Sequence, residues 1–129
     1  MIPESVVRML ADDLASTAAG IRLLSAGPGR ASAAMRITET MVNGHGIGHG
    51  GYVFLLADTA FACACNSHGP VTVAAGADIT FVAAVRLGDE LVATATERTV
   101  YGRSGVYDVT VTREDEVVAE FRGRSRTLR

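Results

Sequence analysis

Asp58 interrupts the run YVFLLADTAFACAC, residues 52–65, in which only Asp58 and Thr59 are not apolar. An acid on such a segment costs roughly several kcal/mol if it stays charged and unpaired. Two readings are open. It is a structural carboxylate tied to backbone or to neighbours such as Thr59, or it is a general base or nucleophile whose pKa desolvation raises towards a useful range. The stretch just upstream, Asn43-Gly-His-Gly-Ile-Gly-His-Gly-Gly51, favours the second. If a helix begins near Gly50, its first amides have no intrahelical acceptor and its dipole attracts negative charge. The amide of Gly50 or Gly51 can then receive the oxyanion formed when a carbonyl is attacked, and glycine lets substrate come close. Gly50 and Asp58 are eight positions apart, about 12 Å along a helix. That is too far for both to serve one carbonyl, so the acid is expected from a second copy of the chain, which makes a dimer part of the mechanism. Asn43 opens the loop, either as a turn residue or as an amide that orients water or a carbonyl.

Other groups carry weaker signals. Gly46-Ile-Gly48-His-Gly50-Gly51 satisfies G-x-G-x-x-G, but that motif works only in a parallel βαβ unit, and the strands here follow one another without helices between. His45 and His49 have the spacing of two metal ligands on a helix, yet the glycines oppose a helix and no Glu follows His45; no metal site is expected. His49 is read as fixing the loop or touching ligand. His68 is placed near the last helix carbonyls, without a role. Cys63 and Cys65 point to different sides of one helix and read as small buried hydrophobes. Asp78 reads as a solvated or interface acid. Arg122, Arg124 and Arg126 share one face of the last strand, either as a solvated edge that resists pairing or as phosphate ligands. Arg103, in a turn, is equally open. Tyr52 and Phe54 read as core or interface.

These residues need a frame. Alternate glycines at 44, 46, 48 and 50 form a loop, and the apolar run becomes a mostly buried helix from about Gly50 to Ser67, stopped by Gly69-Pro70. Pro3 to Thr17 has helical spacing and predicts an extra N-terminal helix. Ile21–Leu24 and Arg30–Thr38 predict strands, the second with Ala31, Ala33, Met35 and Ile37 on one face. Beyond Pro70 the pattern alternates, predicting strands over Val71–Val85, Asp89–Tyr101, Gly105–Arg113 and Val117–Leu128. Their short connections suit antiparallel neighbours. One apolar helix and a sheet that must curl to cover it give an α+β hot-dog fold, a curved antiparallel sheet around one long central helix. The helix is too apolar for one sheet face alone, so part of it is expected to meet a second subunit.

With 129 residues, 48% of them apolar, the chain suits a single domain over residues 1–129. Net charge is −2, from 12 basic and 14 acidic residues spread along the chain, so no footprint for nucleic acid is expected. All the basic residues are arginine, which excludes lysine Schiff-base chemistry and the P-loop lysine. The amino terminus lacks a basic n-region, and the apolar run is shorter than the roughly 20 residues a membrane span needs. A cytoplasmic protein without membrane partners is expected.

Asn43-Gly-His-Gly-x-x-His-Gly-Gly51, Leu56-Ala-Asp58-Thr-Ala-Phe61, Cys65-Asn-Ser67, Gly105-Val-Tyr-Asp-Val109 and Phe121-Arg-Gly123 together resemble the signature of hot-dog acyl-CoA thioesterases of the phenylacetate-pathway (PaaI-type) subgroup. The resemblance implies hydrolysis of aryl- or phenylacetyl-CoA-like thioesters by a homotetramer, a dimer of dimers with sites at the dimer interface. It assigns Asp58 to activating water or attacking directly, Gly50 (preceded by His49) to polarising the carbonyl, and Asn43 to positioning thioester or water. Gly51 and Thr72 would line the substrate site, and Arg103 and Arg122 would meet the phosphates of CoA. No cofactor is implied, because CoA is part of the substrate. Where family members carry a Ser or Thr that assists the water, this chain aligns Ala74, with Thr72 nearby. A hot-dog hydratase or dehydratase is disfavoured, because no His follows Asp58 before His68. A non-catalytic acyl-CoA binding protein is the remaining rival.

Overall fold

The glycine-rich stretch folds as a loop, and the apolar run after it is the helix that the sheet encloses. The computed structural model describes residues 1–129. In chain order it contains α1 (Glu4–Ala11), α2 (Leu14–Ala18), β1 (Arg22–Gly27), β2 (Arg30–Arg36), a 3-10 turn (Glu39–Met41), α3 (Gly50–Asn66), β3 (Thr72–Phe81), β4 (Glu90–Tyr101), β5 (Ser104–Arg113) and β6 (Glu116–Thr127). The strands form one antiparallel sheet in the order β1-β2-β4-β5-β6-β3. All six contact α3. This is the expected hot-dog fold.

The core forms where α3 lies against the sheet. Leu56, Ala57, Ala60, Phe61, Cys63 and Ala64 are buried against Met35, Leu91, Ala93, Val109, Val111 and Phe121. Alternation puts Ala31, Ala33, Met35 and Ile37 inside, as their spacing predicts. Phe61 meets Tyr107 and Phe121 with ring centroids 5.5 and 5.8 Å apart. Gly123 makes room for it, since a Cβ there would lie 2.8 Å from the Phe61 ring.

The expected Pro3–Thr17 helix is two helices. Asp13 breaks it by capping α2: its Oδ1 accepts the Ser16 amide at 2.9 Å and its Oδ2 the Ser16 hydroxyl at 2.6 Å. An aspartate that bonds its own backbone competes with helix continuation. The expectation that strands joined by short links are neighbours fails for β3 and β4. Curling brings β3 beside β6, and the segment from Val82 to Asp89 crosses over instead of forming a hairpin. That crossover is pinned by Gly48 N–H to Val85 O (2.7 Å), Gly88 N–H to Ile37 O (2.8 Å) and Ile37 N–H to Asp89 O (2.9 Å). The edge reading of Arg122, Arg124 and Arg126 fails for the same reason, because β6 is interior and the sheet edges are β1 and β3.

Candidate active site

The loop before α3 is held by its first residue. Asn43 Oδ1 accepts the amides of His45 (2.9 Å) and Ile47 (3.3 Å), and its backbone N–H donates to the Ile47 carbonyl at 2.8 Å. This leaves its Nδ2 as the side-chain donor free to face a ligand. His49 N–H donates to Met41 O at 2.7 Å, which sets the start of the helix.

His49 is the N-cap of α3. Its Nδ1 accepts the Gly51 amide at 3.0 Å, and its carbonyl accepts the Tyr52 amide at 3.0 Å. Nδ1 as acceptor leaves the ring proton on Nε2. Gly51's amide is therefore taken, whereas the Gly50 N–H has no acceptor in the chain. Of the two amides the sequence offers as oxyanion donors, Gly50's is the free one. His45 sits exposed in the loop, off the helix, so the helical metal-ligand spacing has no helix to act on.

Asp58 lies two turns further on, half-buried, with no hydrogen-bond donor in its own chain. Burial pushes its pKa above the usual carboxylate value, and the negative charge of Asp13 adds to this. Thr59, the neighbour available to a structural carboxylate, is engaged elsewhere: its hydroxyl donates to Leu55 O at 2.8 Å and lies 2.9 Å from Ser16 Oγ.

Asp58, His49 and Gly51 line one cleft of about 610 Å³, with Tyr52 and Leu55 on the same helix and Ala15, Ala18 and Ala19 opposite. Gly50 and Asn43 line a different cleft of about 410 Å³, with Gly48, Val53, Phe81 and Val85. A single chain thus separates the acid from the free amide, as the helical rise requires.

Thr72 is at the far end of α3, its hydroxyl 3.0 Å from both Pro70 O and Thr127 Oγ1. It lines neither cleft. Ala74 is exposed on β3, next to the irregularity between Ala74 and Gly76. Arg122 is held by Asp108 through two hydrogen bonds, Nε to Oδ1 (2.7 Å) and Nη2 to Oδ2 (2.9 Å), and Arg124 pairs with Asp78 at 2.9 Å. Arg103 is exposed in the β4–β5 turn and its side chain has no ion pair. Cys63 and Cys65 are buried, and burial above all pushes both thiols up to about 12, which removes them as nucleophiles near neutral pH.

Two features escaped the sequence reading. The alanine wall of the Asp58 cleft comes from α2, and its signal is the i, i+3, i+4 spacing of Ala15, Ala18 and Ala19 after the capping Asp13. His68 is not at the helix carbonyls: its Nε2 lies 2.7 Å from Glu97 Oε1, which also accepts the Tyr107 hydroxyl at 2.8 Å. Nothing local marks that trio, since its members lie on separate elements.

A half-buried carboxylate without a partner and a free helix-terminal amide are what addition of water to an activated carbonyl needs. The model of the thioesterase superfamily matches residues 45–120. The chain is 43% identical, over 93% of its length and 86% of the relative's, to the acyl-coenzyme A thioesterase PaaI of Escherichia coli. Its fold superposes with a TM-score of 0.95 on the E. coli PaaI protein from the phenylacetic acid degradation operon, at 40% identity, covering 98% of this chain and 92% of that one. A Streptococcus mutans protein solved with acetyl CoA superposes with a TM-score of 0.80 at 25% identity, covering 84% and 88%. No helix is long and apolar enough to cross a membrane.

Proposed function

The chain belongs to the thioesterase superfamily and is a thioester hydrolase, from which we propose that it cleaves acyl-CoA thioesters of the aryl or phenylacetyl type to free acid and CoA. The observation that carries this reading is Asp58, half-buried and unbonded in a cleft at the N-terminal half of α3. The phenylacetate relatives and the acetyl CoA-bound neighbour support the substrate class.

In the proposed reaction the thioester oxygen accepts the Gly50 N–H of one protomer, and negative charge builds there at the positive end of α3. Asp58 of the second protomer takes a proton from water as it attacks, or attacks the carbonyl itself to give an anhydride that water then opens. The carbon–sulfur bond breaks and CoA leaves as the thiolate, which takes its proton from Asp58 in the first route and from water in the second. Asn43 Nδ2 and His49 Nε2–H are the side-chain donors that orient thioester or water. A thioester is already activated, so no serine triad, metal or prosthetic group is required. Arg103, being unpaired, is the better placed arginine for a CoA phosphate, whereas Arg122 must leave Asp108 to serve.

The separate clefts of Gly50 and Asp58 support the two-protomer arrangement. Edge strand β3 ends at Phe81, 53% exposed, whose ring closes over Gly50; Val82 next to it and Val73 at the start of the strand are also exposed. Joining copies along this edge covers those residues and brings each Gly50 to a neighbour, and two such dimers make the proposed tetramer. The test is Asp58→Asn. It keeps binding of phenylacetyl-CoA and loses about 10²–10⁴ of the rate of thiol release; unchanged turnover would remove Asp58 from the mechanism. A wild type that binds phenylacetyl-CoA and never releases thiol would favour the binding-protein reading instead.

A further inference from the structure

The wall facing Asp58 across its cleft is α2, and its position is fixed by a chain of buried contacts. Asp13 caps it, Ser16 is 3% exposed, and Ser16 Oγ lies 2.9 Å from Thr59 Oγ1, the residue after Asp58. The register of α2 against the carboxylate is therefore set at the atom level. On the cleft side α2 presents only Ala15, Ala18 and the adjoining Ala19, opposite Leu55. The polar groups of the same lining are Asp58, His49 and the Gly51 backbone. About 610 Å³ is within the usual range for a small-molecule pocket.

We propose that α2 is the gauge of the acyl pocket, and that Ala15 and Ala18 determine how large an acyl group reaches Asp58. This rests on the thioesterase reading of the same cleft. A thioester with its carbonyl at Asp58 has two arms. The CoA arm is long and charged and gains nothing from alanine methyls. The acyl arm is uncharged, and burying it against Ala15, Ala18 and Leu55 removes apolar surface from water. Ala15 and Ala18 are otherwise exposed, so their small size answers no packing demand of the core. A longer side chain at either position enters the cleft and takes the space of the distal part of the acyl group, while the region around the carbonyl stays open.

The test compares Ala18→Leu and Ala15→Leu with wild type and with Thr17→Leu, which adds the same bulk to α2 outside the cleft. Thiol release from acetyl-CoA and phenylacetyl-CoA gives kcat/KM. Binding is measured with the matching ketone analogues, in which a methylene replaces the reacting sulfur. The leucine variants at 15 and 18 should lose at least about tenfold in kcat/KM and in affinity for the phenylacetyl compounds and stay within about twofold for the acetyl ones, and Thr17→Leu should resemble wild type. Equal losses for both acyl groups, or no change for either, would overturn the gauge. The analogue affinities decide this even if the wild type releases no thiol, an outcome that would overturn the hydrolase reading separately.

Discussion

At the scale of single residues, Asp58 gives the fold a carboxylate that it would be more stable without. Burial, and then the charge of Asp13, raise its pKa above the unfolded value, so the folded chain holds the proton more tightly than the unfolded one. The stabilisation from that proton is complete below the unfolded pKa and is lost as pH rises through the folded one. At pH 7 the ionised group is a net cost. Asp58→Asn should therefore melt at a higher temperature than wild type at pH 7, with the gap closing in acid; thermal melts across pH check this. Function and stability then pull in opposite directions at one atom group, as is common at active sites. A second prediction follows for the rate. A base or nucleophile must be ionised, so the acid limb of the pH–rate profile should lie above the ordinary carboxylate range. Asp13→Asn keeps the cap, since asparagine ranks with aspartate there, but removes the charge. Its acid limb should move to lower pH, and a limb that stays put would show that burial alone sets it.

At the scale of elements, both ends of α3 are tied. At the start, Gly50 is the first helical residue and its N–H bonds nothing in the chain. Proline is tolerated at that position, and His49 before it already has the extended conformation that proline demands, φ −66° and ψ 130°. A Cβ at Gly50 would lie 2.8 Å from the outer carbon of the Phe81 ring, an exposed side chain that can swing aside. Gly50→Pro should thus keep the fold, by circular dichroism, and lose about 10²–10³ in kcat through the missing donor. At the other end, buried Asn66 clamps the turn into β3: its Nδ2 donates to Ala62 O and Thr72 O and its Oδ1 accepts the Thr72 amide, each at 2.9 Å. Asn66→Ala strands the Thr72 backbone groups and should cost roughly 2–4 kcal/mol in urea unfolding. The boundaries of α3 were legible because glycines flank a run that is apolar but for Asp58 and Thr59. Asn66's role was not, because its partner is set by how the turn closes.

At the scale of the whole molecule, the separation of Gly50 and Asp58 into two clefts makes the second copy testable by mixing. Neither Gly50→Pro nor Asp58→Asn should be active alone. If acid and donor come from different protomers, a mixed dimer has one site with an intact Asp58 and an intact Gly50, and the other site carries both lesions. Refolding equal amounts together should then restore roughly a quarter of wild-type activity, since about half the dimers are mixed and each holds one good site of two, with assembly followed by light scattering. No recovery would place both groups in one chain.

The sequence by itself determined most of the elements, the single N-terminal helix excepted, and singled out Asp58 and the glycine loop. A run broken only by Asp58 and Thr59 after alternating glycines has few alternatives to a buried helix, and Asp58 is conspicuous on it because charge and burial conflict. The tertiary structure decided what depends on non-local closure. It put β3 beside β6 and not β4, which moved the arginines of β6 from an edge to the sheet interior. It carried His68 to Glu97, brought α2 across from Asp58, and left Gly50's amide free by turning His49's ring onto Gly51. Each of these is a meeting of segments distant in the chain, or a side-chain rotation at a cap, and local spacing encodes neither.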